Sequence, residues 1–195
     1  METLEQRIAR AVRETVEILP YDPRWPQFFQ QEKVHLRSCL PAELVRRIEH
    51  FGSTAVPGLA AKPIVDVLVE VTDLQATRER IAPILESQGY EYFWRPTHGD
   101  DGPPFYAWFI KRDASTRART HHIHMVEGGE PFAGHWDRLL FRDYLIAHSQ
   151  VAKEYERLKR RLAADSPRDR VTYTRAKTEF IDNVTQQAKA LYGRT

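Results

Sequence analysis

Cysteine is almost missing from this chain: Cys39 is the single example among 195 residues. One thiol cannot form a disulfide within the chain, and it cannot build a zinc or iron–sulfur site that needs several cysteines. Cys39 has no histidine or other base at an obvious adjacent position, so we interpret it as a packing or surface residue rather than a nucleophile. If the protein binds a metal, the ligands must therefore be histidine, aspartate or glutamate side chains.

Long apolar runs and an excess of one charge are missing as well. No stretch approaches the ~20 apolar residues of a transmembrane helix. The opening METLEQRIAR is too charged for a secretory signal, which favours a cytoplasmic protein without a membrane partner. The 29 lysines and arginines nearly balance the 27 aspartates and glutamates, leaving a formal charge of +2. This balance gives no strong signal for nucleic-acid binding, so any function that depends on charge must be local.

The chain is long enough, at 195 residues and 42% hydrophobic, for one domain with a substantial core. A helical extension is predicted over residues 1–19, and the remaining residues 20–195 are predicted to form a single domain. Within that domain a helix is expected from Trp25 to about residue 40. The extension is predicted because apolar residues follow a helical spacing among charges; they are Leu4, Ile8, Val12 and Leu19.

The middle of the chain predicts a mixed α/β (α+β) sheet. Extended segments are expected over residues 44–51 and 64–71, and the second of them, IVDVLVEV, is apolar enough for an internal strand. A helical pattern follows and ends at Gly89. The stretches YEYFW, FYAWFIK and HHIHMVE predict three more strands. Beyond Phe132 the pattern is helical, so flanking helices and a helical C-terminal half are expected beside the sheet.

The first of these strands ends at Gly52-Ser53, a turn suited to an anion. Glycine lets a bound group approach the backbone, and Ser53 could donate to phosphate oxygens; a purely structural turn is the alternative. On the next strand Asp66 must be desolvated, so it requires a cation or a donor. A divalent metal beside substrate phosphates would satisfy it, and so would a buried salt bridge to Lys62 or an arginine. If the carboxylate is unpaired without metal, Asp66→Asn is expected to stabilise the metal-free protein.

Histidines are concentrated on the last predicted strand. His122 and His124 point to one face of that strand, and His121 points to the other. Two imidazoles on one face can share a metal or supply a general base; alternatively, one of them is simply hydrogen-bonded at a sheet edge. We interpret His121, like His35 and His148, as a surface or packing residue.

Basic side chains flank the same region. On the last helix Tyr173 and Lys177 are one turn apart, so Lys177 could offer charge to a phosphate while Tyr173 packs beneath it. The loop between the last two strands carries arginines and a lysine that could reach the histidines and bind phosphate, with a solvated loop as the alternative. These loop residues are Lys111, Arg112, Arg117 and Arg119.

Five segments together resemble the GrpB family, over residues 17–192: YDPRWPQFFQQE, IEHFGSTAVPGLAAKPIVDVLVEV, HIHMVE, LLFRDYLIAH and YTRAKTEFI. The resemblance implies a nucleotidyltransferase-like fold, in which an apolar residue and Gly-Ser precede a strand that carries two carboxylates. Gly52, Ser53 and Asp66 match that pattern. Leu68, however, stands at the second carboxylate position, and Glu70 lies two residues farther along the same face.

This departure from the pattern of the nucleotidyltransferase superfamily leaves a one-metal site, a site rebuilt with the two histidines, or a site that binds without catalysis. Imidazole ligands would shift the preference of the divalent metal from Mg²⁺ toward Mn²⁺ or Zn²⁺. The resemblance and the residues together give Asp66, His122 and His124 as catalytic residues, and these three with Glu70 as metal ligands. The expected nucleotide-binding residues are Gly52, Ser53, Thr54, Lys62, Arg119, Tyr173 and Lys177.

Two functions are compatible with these residues. The first is metal-dependent transfer of a nucleotidyl group from a nucleoside triphosphate to a small acceptor. The second is a non-catalytic module that binds a nucleotide or a partner and keeps only a degenerate metal site. Convergence of Glu70 and the two histidines on Asp66 would favour the first. The expected partner is a nucleoside triphosphate or another phosphorylated small molecule, bound in a cleft that Lys177 shares with Asp66; a homodimer is compatible with the sequence.

Overall fold

The computed structural model describes residues 5–6, 9–10, 15–97, 102–165 and 169–193. Its strands are β1 Val45–Phe51, β2 Val65–Val71, β3 Glu91–Pro96, β4 Phe105–Arg112 and β5 Arg119–Val126. After short helical stretches at residues 5–6 and 9–10, the helices are α1 Trp25–Cys39, α2 over residues 74–87, α3 Ala133–Ala147, α4 Ser149–Asp165, α5 Arg170–Arg175 and α6 Thr178–Tyr192. None of these helices is both long enough and apolar enough to cross a membrane.

The five strands form one sheet in the order β1-β2-β5-β4-β3. All neighbouring strands are antiparallel except β2 and β5, which run parallel. The predicted mixed sheet is therefore confirmed, and so are its internal strand β2 and the helical C-terminal half. The parallel pair matters most for the site, because it sets Asp66 directly beside His122.

Alternation along the strands divides the sheet into two faces. Helices α1 and α2 cover the first face, where Phe29 of α1 stacks on His50 of β1, with ring centroids 4.8 Å apart. Val67 and Ile123 point into this core and are fully buried. Asp66, which alternates with Val67, belongs to the second face.

The C-terminal helices pack around the turn that leaves β1. Val56 and Leu59, just after this turn, belong to an apolar cluster with Leu140 and Leu145 of α3 and Val184 of α6. All of these side chains are at least nine-tenths buried. The cluster fixes the turn against the helical half and leaves a site between that half and the second face of the sheet.

The helix predicted over residues 1–19 is shorter in the structure. Residues 15–18 are not helical, and Leu19 forms an antiparallel bridge with Ala61, with both backbone N–H···O distances 2.9 Å. This tertiary pairing overrides the local helical spacing. Leu4, Ile8 and Val12, which carried the prediction, lie outside the described residues. The division between an extension and a domain stays a prediction.

Candidate functional site

The site begins at the turn between β1 and the short 3₁₀ helix Ser53–Ala55. Gly52 has a φ of 73° and a ψ of −173°, a combination that is essentially restricted to glycine. A Cβ at this position would lie 2.5 Å from Oδ2 of Asp66, much closer than van der Waals contact. Gly52 is therefore required both by the backbone conformation and by the close approach of the Asp66 carboxylate.

Asp66 is held by a histidine from the neighbouring strand. Its Oδ1 lies 3.2 Å from Nδ1 of His122, and its side chain remains 28% exposed, so a ligand can still reach it. Burial alone would raise the pKa of Asp66, but the hydrogen bond and charge of His122, together with the charges of Lys62 and His50, lower the pKa below its usual range. The carboxylate is thus ionised and has His122 as a partner, and the positive charge of Lys62 also favours the ionised form.

His122 is neutral at physiological pH because burial lowers its pKa to about 4. An ionised Asp66 can only accept, so Nδ1 of His122 must carry the proton of this hydrogen bond. Nε2 then holds a lone pair and lies 3.3 Å from Nη1 of Arg119, a donor. Arg119, His122 and Asp66 form a chain of hydrogen bonds, so a metal would bind His122 only by exchanging one of its partners.

The ring nitrogens of His124 are less fully hydrogen-bonded than those of His122. It stacks on Tyr106 at 5.6 Å and meets Phe51 edge to face at 5.3 Å. Burial holds its pKa well below the usual value, so the ring is neutral. Its Nδ1 is buried and has no hydrogen-bond partner among the described residues. A buried ring nitrogen without a partner costs free energy unless a ligand satisfies it.

Asp66, His122 and His124 each offer one ligand atom, and these three atoms lie within 4.8 Å of one another. Donor atoms about 2.0–2.2 Å from one ion are at most about 4.4 Å apart, so small side-chain adjustments would let all three contact a single cation. These three residues therefore lie as close together as predicted. Their two imidazoles and one carboxylate are a donor set that fits a divalent transition metal.

Glu70 does not join this cluster. Four residues along a strand correspond to roughly 13 Å, so a shared face does not bring Glu70 near Asp66. Its carboxylate instead pairs with Arg47 at 3.3 Å and with Arg46 at 3.7 Å. At the intermediate position, Leu68 is fully buried. Glu70, the expected fourth metal ligand, is therefore engaged in ion pairs with two arginines and lies away from Asp66.

Three of the expected nucleotide-binding residues meet beside Asp66. Nζ of Lys62 lies 5.0 Å and Nζ of Lys177 lies 4.4 Å from the centre of the Tyr173 ring. Because the charge of Lys62 acts on Asp66, the shared Tyr173 ring connects Lys177 to the region of Asp66. Tyr173 and Lys177 do not share one helix, however: Tyr173 is in α5, and Lys177 is the residue directly before α6.

Sequence reasoning missed a third lysine in the same region. Lys159 of α4 is 2% exposed, donates to the carbonyl of Ala60 at 2.5 Å and lies 4.8 Å from the Tyr155 ring centre. Burial and the nearby Lys177 lower its pKa to about 7. Burial raises the pKa of the Tyr155 hydroxyl, and the neighbouring Ser53 side chain partly opposes this rise. The available signal was helical spacing, since Lys159 follows Tyr155 by four residues on an otherwise apolar stripe.

Two other expected residues have different roles in the structure. Thr54 is 1% exposed, and its hydroxyl is paired with Nε2 of His50 at 3.0 Å, so its side chain positions the turn instead of facing a ligand. Lys111 points to the opposite face of the sheet, where it donates to the buried carboxylate of Glu32. Of the predicted basic loop, Arg119 is the residue that reaches the histidines.

The three histidines that the sequence assigned to packing or the surface are packed or paired. His121 is buried on the first face and lies 3.0 Å from the Thr120 hydroxyl. His35 pairs with Gln88 at 2.7 Å. His148 stacks on Tyr144 with centroids 3.9 Å apart. These contacts separate the three rings from the Asp66 cluster.

Comparison with known proteins gives consistent matches along most of the chain. The family model described as "GrpB protein" matches residues 15–187. UPF0157 protein YqkA of Bacillus subtilis (strain 168) is 38% identical over 174 residues, 89% of this chain and 47% of that protein, so the chain spans about half the length of this relative. Glutamate-rich protein GrpB of Alkalihalophilus pseudofirmus is 36% identical over 86% of this chain and 92% of its own length. The crystal structure of conserved protein GrpB from Enterococcus faecalis superposes with a TM-score of 0.77 at 31% identity, covering 91% of this chain and all of that one.

Proposed function

Because this chain belongs to the GrpB family, we propose that it binds a nucleoside triphosphate with a divalent cation held by Asp66, His122 and His124, and that it transfers the nucleotidyl group to a small acceptor. The observation that carries this proposal is the convergence of the three ligand atoms within 4.8 Å on one face of the sheet. An ionised carboxylate and two neutral imidazoles supply lone pairs at neutral pH, as metal binding requires.

The cation is expected to be Mn²⁺ or Zn²⁺ in preference to Mg²⁺. Mg²⁺ favours oxygen ligands in near-ideal octahedral geometry, whereas imidazole suits the transition metals. The aromatic rings around His124 support this preference, because they restrict water and fix the imidazole orientation. Bound in this way, the metal would neutralise charge on the phosphates of the nucleotide.

The triphosphate is proposed to lie between the Gly52-Ser53 turn and the C-terminal helices. Lys62, Lys159 and Lys177 bring three amino groups around the Tyr155 and Tyr173 rings, with Lys159 only partly protonated at neutral pH. Burial first and the charge of Lys177 second lower the pKa of Lys159, so part of this shift is repulsion between the two ammonium groups. A polyanion bound between them would relieve that repulsion.

In the proposed reaction an acceptor oxygen forms a bond to the α-phosphorus while the bond to pyrophosphate breaks. This reaction needs little covalent chemistry from the protein, so positioning and charge stabilisation would account for most of the rate acceleration. The turn at Ser53 would position the phosphates. The protein groups would be preorganised, since Thr54 and Ala60 are each fixed by a hydrogen bond from a distant or neighbouring side chain.

Non-catalytic nucleotide binding is the second candidate, and a specific observation favours it. Leu68 replaces the second carboxylate of the family's implied pattern, and Glu70 is paired with two arginines away from the cluster. A site with one cation can bind phosphates, but it lacks the second ion that stabilises the leaving group in two-metal transfer.

Thermal unfolding with nucleotides and metals tests both candidates. ATP, GTP, CTP and UTP are each added with Mg²⁺, Mn²⁺, Zn²⁺ or a chelator, because a ligand specific to the native state raises the melting temperature. A rise that requires both a nucleotide and Mn²⁺ or Zn²⁺ would support the proposed site. Pyrophosphate release would then favour transfer, and binding without release would favour the module. No response to any nucleotide–metal pair would refute both.

A further inference from the structure

Helix α3 places an arginine beside the three candidate metal ligands. Arg138 is partly buried, and its guanidinium carbon lies 5.6 Å from the centre of the Phe51 ring. Phe51 meets His124 edge to face, with ring centroids 5.3 Å apart, and is the strand partner of Asp66. One aromatic ring therefore contacts Arg138 on one side and connects it to two members of the cluster.

Within the described ranges Arg138 makes no ion pair with a carboxylate. The acidic side chains around it have other partners: Asp137, its neighbour in the chain, pairs with Lys189 at 2.7 Å, and Glu49 of β1 lies 3.7 Å from Arg142. A partly buried guanidinium without an anion carries a desolvation cost. An anionic ligand at this position would remove that cost.

The charge of Arg138 acts on the cluster from the His124 end. Burial is the main cause of the low pKa of His124, and the charge of Arg138 is the next. Burial also lowers the pKa of Arg138 itself, while the charges of Tyr106 and Asp66 oppose this and that of Arg95 adds to it. The guanidinium thus lies within electrostatic reach of Asp66 and His124, the two ends of the ligand set.

A cation bound by the cluster would leave the site short of negative charge. One ionised carboxylate and two neutral imidazoles neutralise only half the charge of a divalent ion, and Arg138 adds a further positive charge beside it. Leu68, which is fully buried, offers no second carboxylate and hence no place for a second ion. Arg138 is the charged group that the fold provides near His124 instead.

We propose that Arg138 binds the phosphate held at the metal and supplies there the positive charge that a second metal ion supplies in two-metal sites. A guanidinium suits this role, because its planar fork donates to two phosphate oxygens and stays charged at physiological pH. In the transfer, it would stabilise the charge that develops on the phosphates. This assignment rests on the proposed function, since it requires a metal-bound phosphate.

The test measures the binding of two probes by calorimetry, Mn²⁺ alone and the complex of Mn²⁺ with inorganic tripolyphosphate. Arg138→Gln removes a positive charge near the cation, so it should tighten Mn²⁺ binding about threefold. It also removes a charged donor to phosphate, so it should weaken binding of the complex about tenfold. A purely structural role of Arg138 would not move the two affinities in opposite directions.

Arg138→Lys tests the charge and the fork separately. It should keep the affinity for Mn²⁺ within about twofold of wild type, because the charge remains. It should weaken binding of the complex by only about threefold, because an ammonium group contacts phosphate without the planar fork. The melting temperature of each variant is measured without ligand, so a loss of folded protein is recognised.

Arg47→Gln is the matched control. Arg47 lies on the same face of the sheet and also stacks on an aromatic ring, 4.1 Å from the centre of Trp136, but it pairs with Glu70 at 3.3 Å. Phe51 is four residues farther along the strand, roughly 13 Å away. Over such a distance an exposed charge is largely screened, so both affinities should stay within about twofold of wild type.

The possible failures are distinguishable. Wild-type protein that binds neither Mn²⁺ nor its tripolyphosphate complex would refute the proposed function, and the role of Arg138 with it. Binding of the complex by wild type that Arg138→Gln leaves unchanged would refute the role of Arg138 alone. Equal weakening of both probes by Arg138→Gln, or equal effects of Arg138→Gln and Arg47→Gln, would also overturn that role.

Discussion

Replacing Asp66 with asparagine keeps the shape of the side chain and removes its charge. The amide still fits against Gly52, and its oxygen can still accept from Nδ1 of His122, now as a neutral hydrogen bond. A charge-assisted bond exceeds a neutral one by about 1 kcal/mol. Since the native environment lowers the pKa of Asp66, it favours the charged form. We therefore expect Asp66→Asn to lower stability by about 1 kcal/mol, or roughly 2–4 °C for a chain of this size.

This expectation reverses the one drawn from the sequence. An unpaired buried carboxylate would gain from neutralisation, but the structure gives Asp66 a histidine partner and a 28% exposed side chain. The metal response should change far more than the stability. Metal at about 100 times its Kd stabilises a protein by about 2.7 kcal/mol, which corresponds to a rise of roughly 5–10 °C in melting temperature. Asp66→Asn should abolish that rise.

The assay is thermal unfolding with Mn²⁺, with Zn²⁺ and with a chelator, followed by circular dichroism. Glu70→Gln is the matched control, because Glu70 lies on the same strand and face but pairs with Arg46 and Arg47. It should reduce stability slightly and leave the metal response intact. A metal response that survives in Asp66→Asn, or one that is lost equally in Glu70→Gln, would refute the assignment of the cation to Asp66.

Three further predictions follow from the same geometry. Gly52→Ala places a Cβ 2.5 Å from the Asp66 carboxylate and should lower the free energy of unfolding in urea by more than about 2 kcal/mol. Gly58→Ala is the control, since Gly58 has a φ of 76° and nothing within 4 Å of its Cβ, and it should lower this free energy by about 1 kcal/mol. Equal losses of stability in the two variants would contradict the close approach of Asp66 to Gly52. The pKa values of His50 and His122 are each lowered to about 4, so the unfolded chain binds more protons than the native state between about pH 6.5 and 4. The free energy of unfolding should fall as pH falls through that window, by at most about 3 kcal/mol per histidine, and a flat urea midpoint across it would speak against buried neutral rings. Lys177→Ala should weaken triphosphate binding about tenfold and leave nucleoside binding unchanged in calorimetry, whereas equal effects on both ligands would place Lys177 away from the phosphates.

Local patterns predicted the sheet well because its strands are short apolar runs bounded by glycine, proline and polar turns. They also placed His122 and His124 on one face, since alternation follows from strand geometry alone. The proximity of Asp66 to these histidines depends on the parallel register of β2 and β5, whose partners are 56 residues apart in the chain. Alternation gives the face of a residue but not its neighbour, which is why Glu70 was wrongly grouped with Asp66.

Tertiary contacts explain the other differences. The helix expected up to Leu19 ends early because Leu19 pairs with Ala61, a contact between distant segments. Lys159 was missed because its ammonium group is held in the interior by the Ala60 carbonyl, 99 residues away in the chain, and lies against the Tyr155 ring. Thr54 belongs to the expected turn, but its hydroxyl is hydrogen-bonded to His50 and does not face a ligand. The cytoplasmic location and a homodimer stay predictions from the sequence.

Anomalous diffraction from crystals grown with Mn²⁺ and a non-hydrolysable nucleoside triphosphate analogue tests the central claim most directly. The account predicts a manganese peak about 2.0–2.2 Å from a carboxylate oxygen of Asp66 and from ring nitrogens of His122 and His124. The triphosphate should extend from this peak toward Ser53 and Lys177. A peak at another position, or an ordered nucleotide with no manganese beside Asp66, would contradict the account.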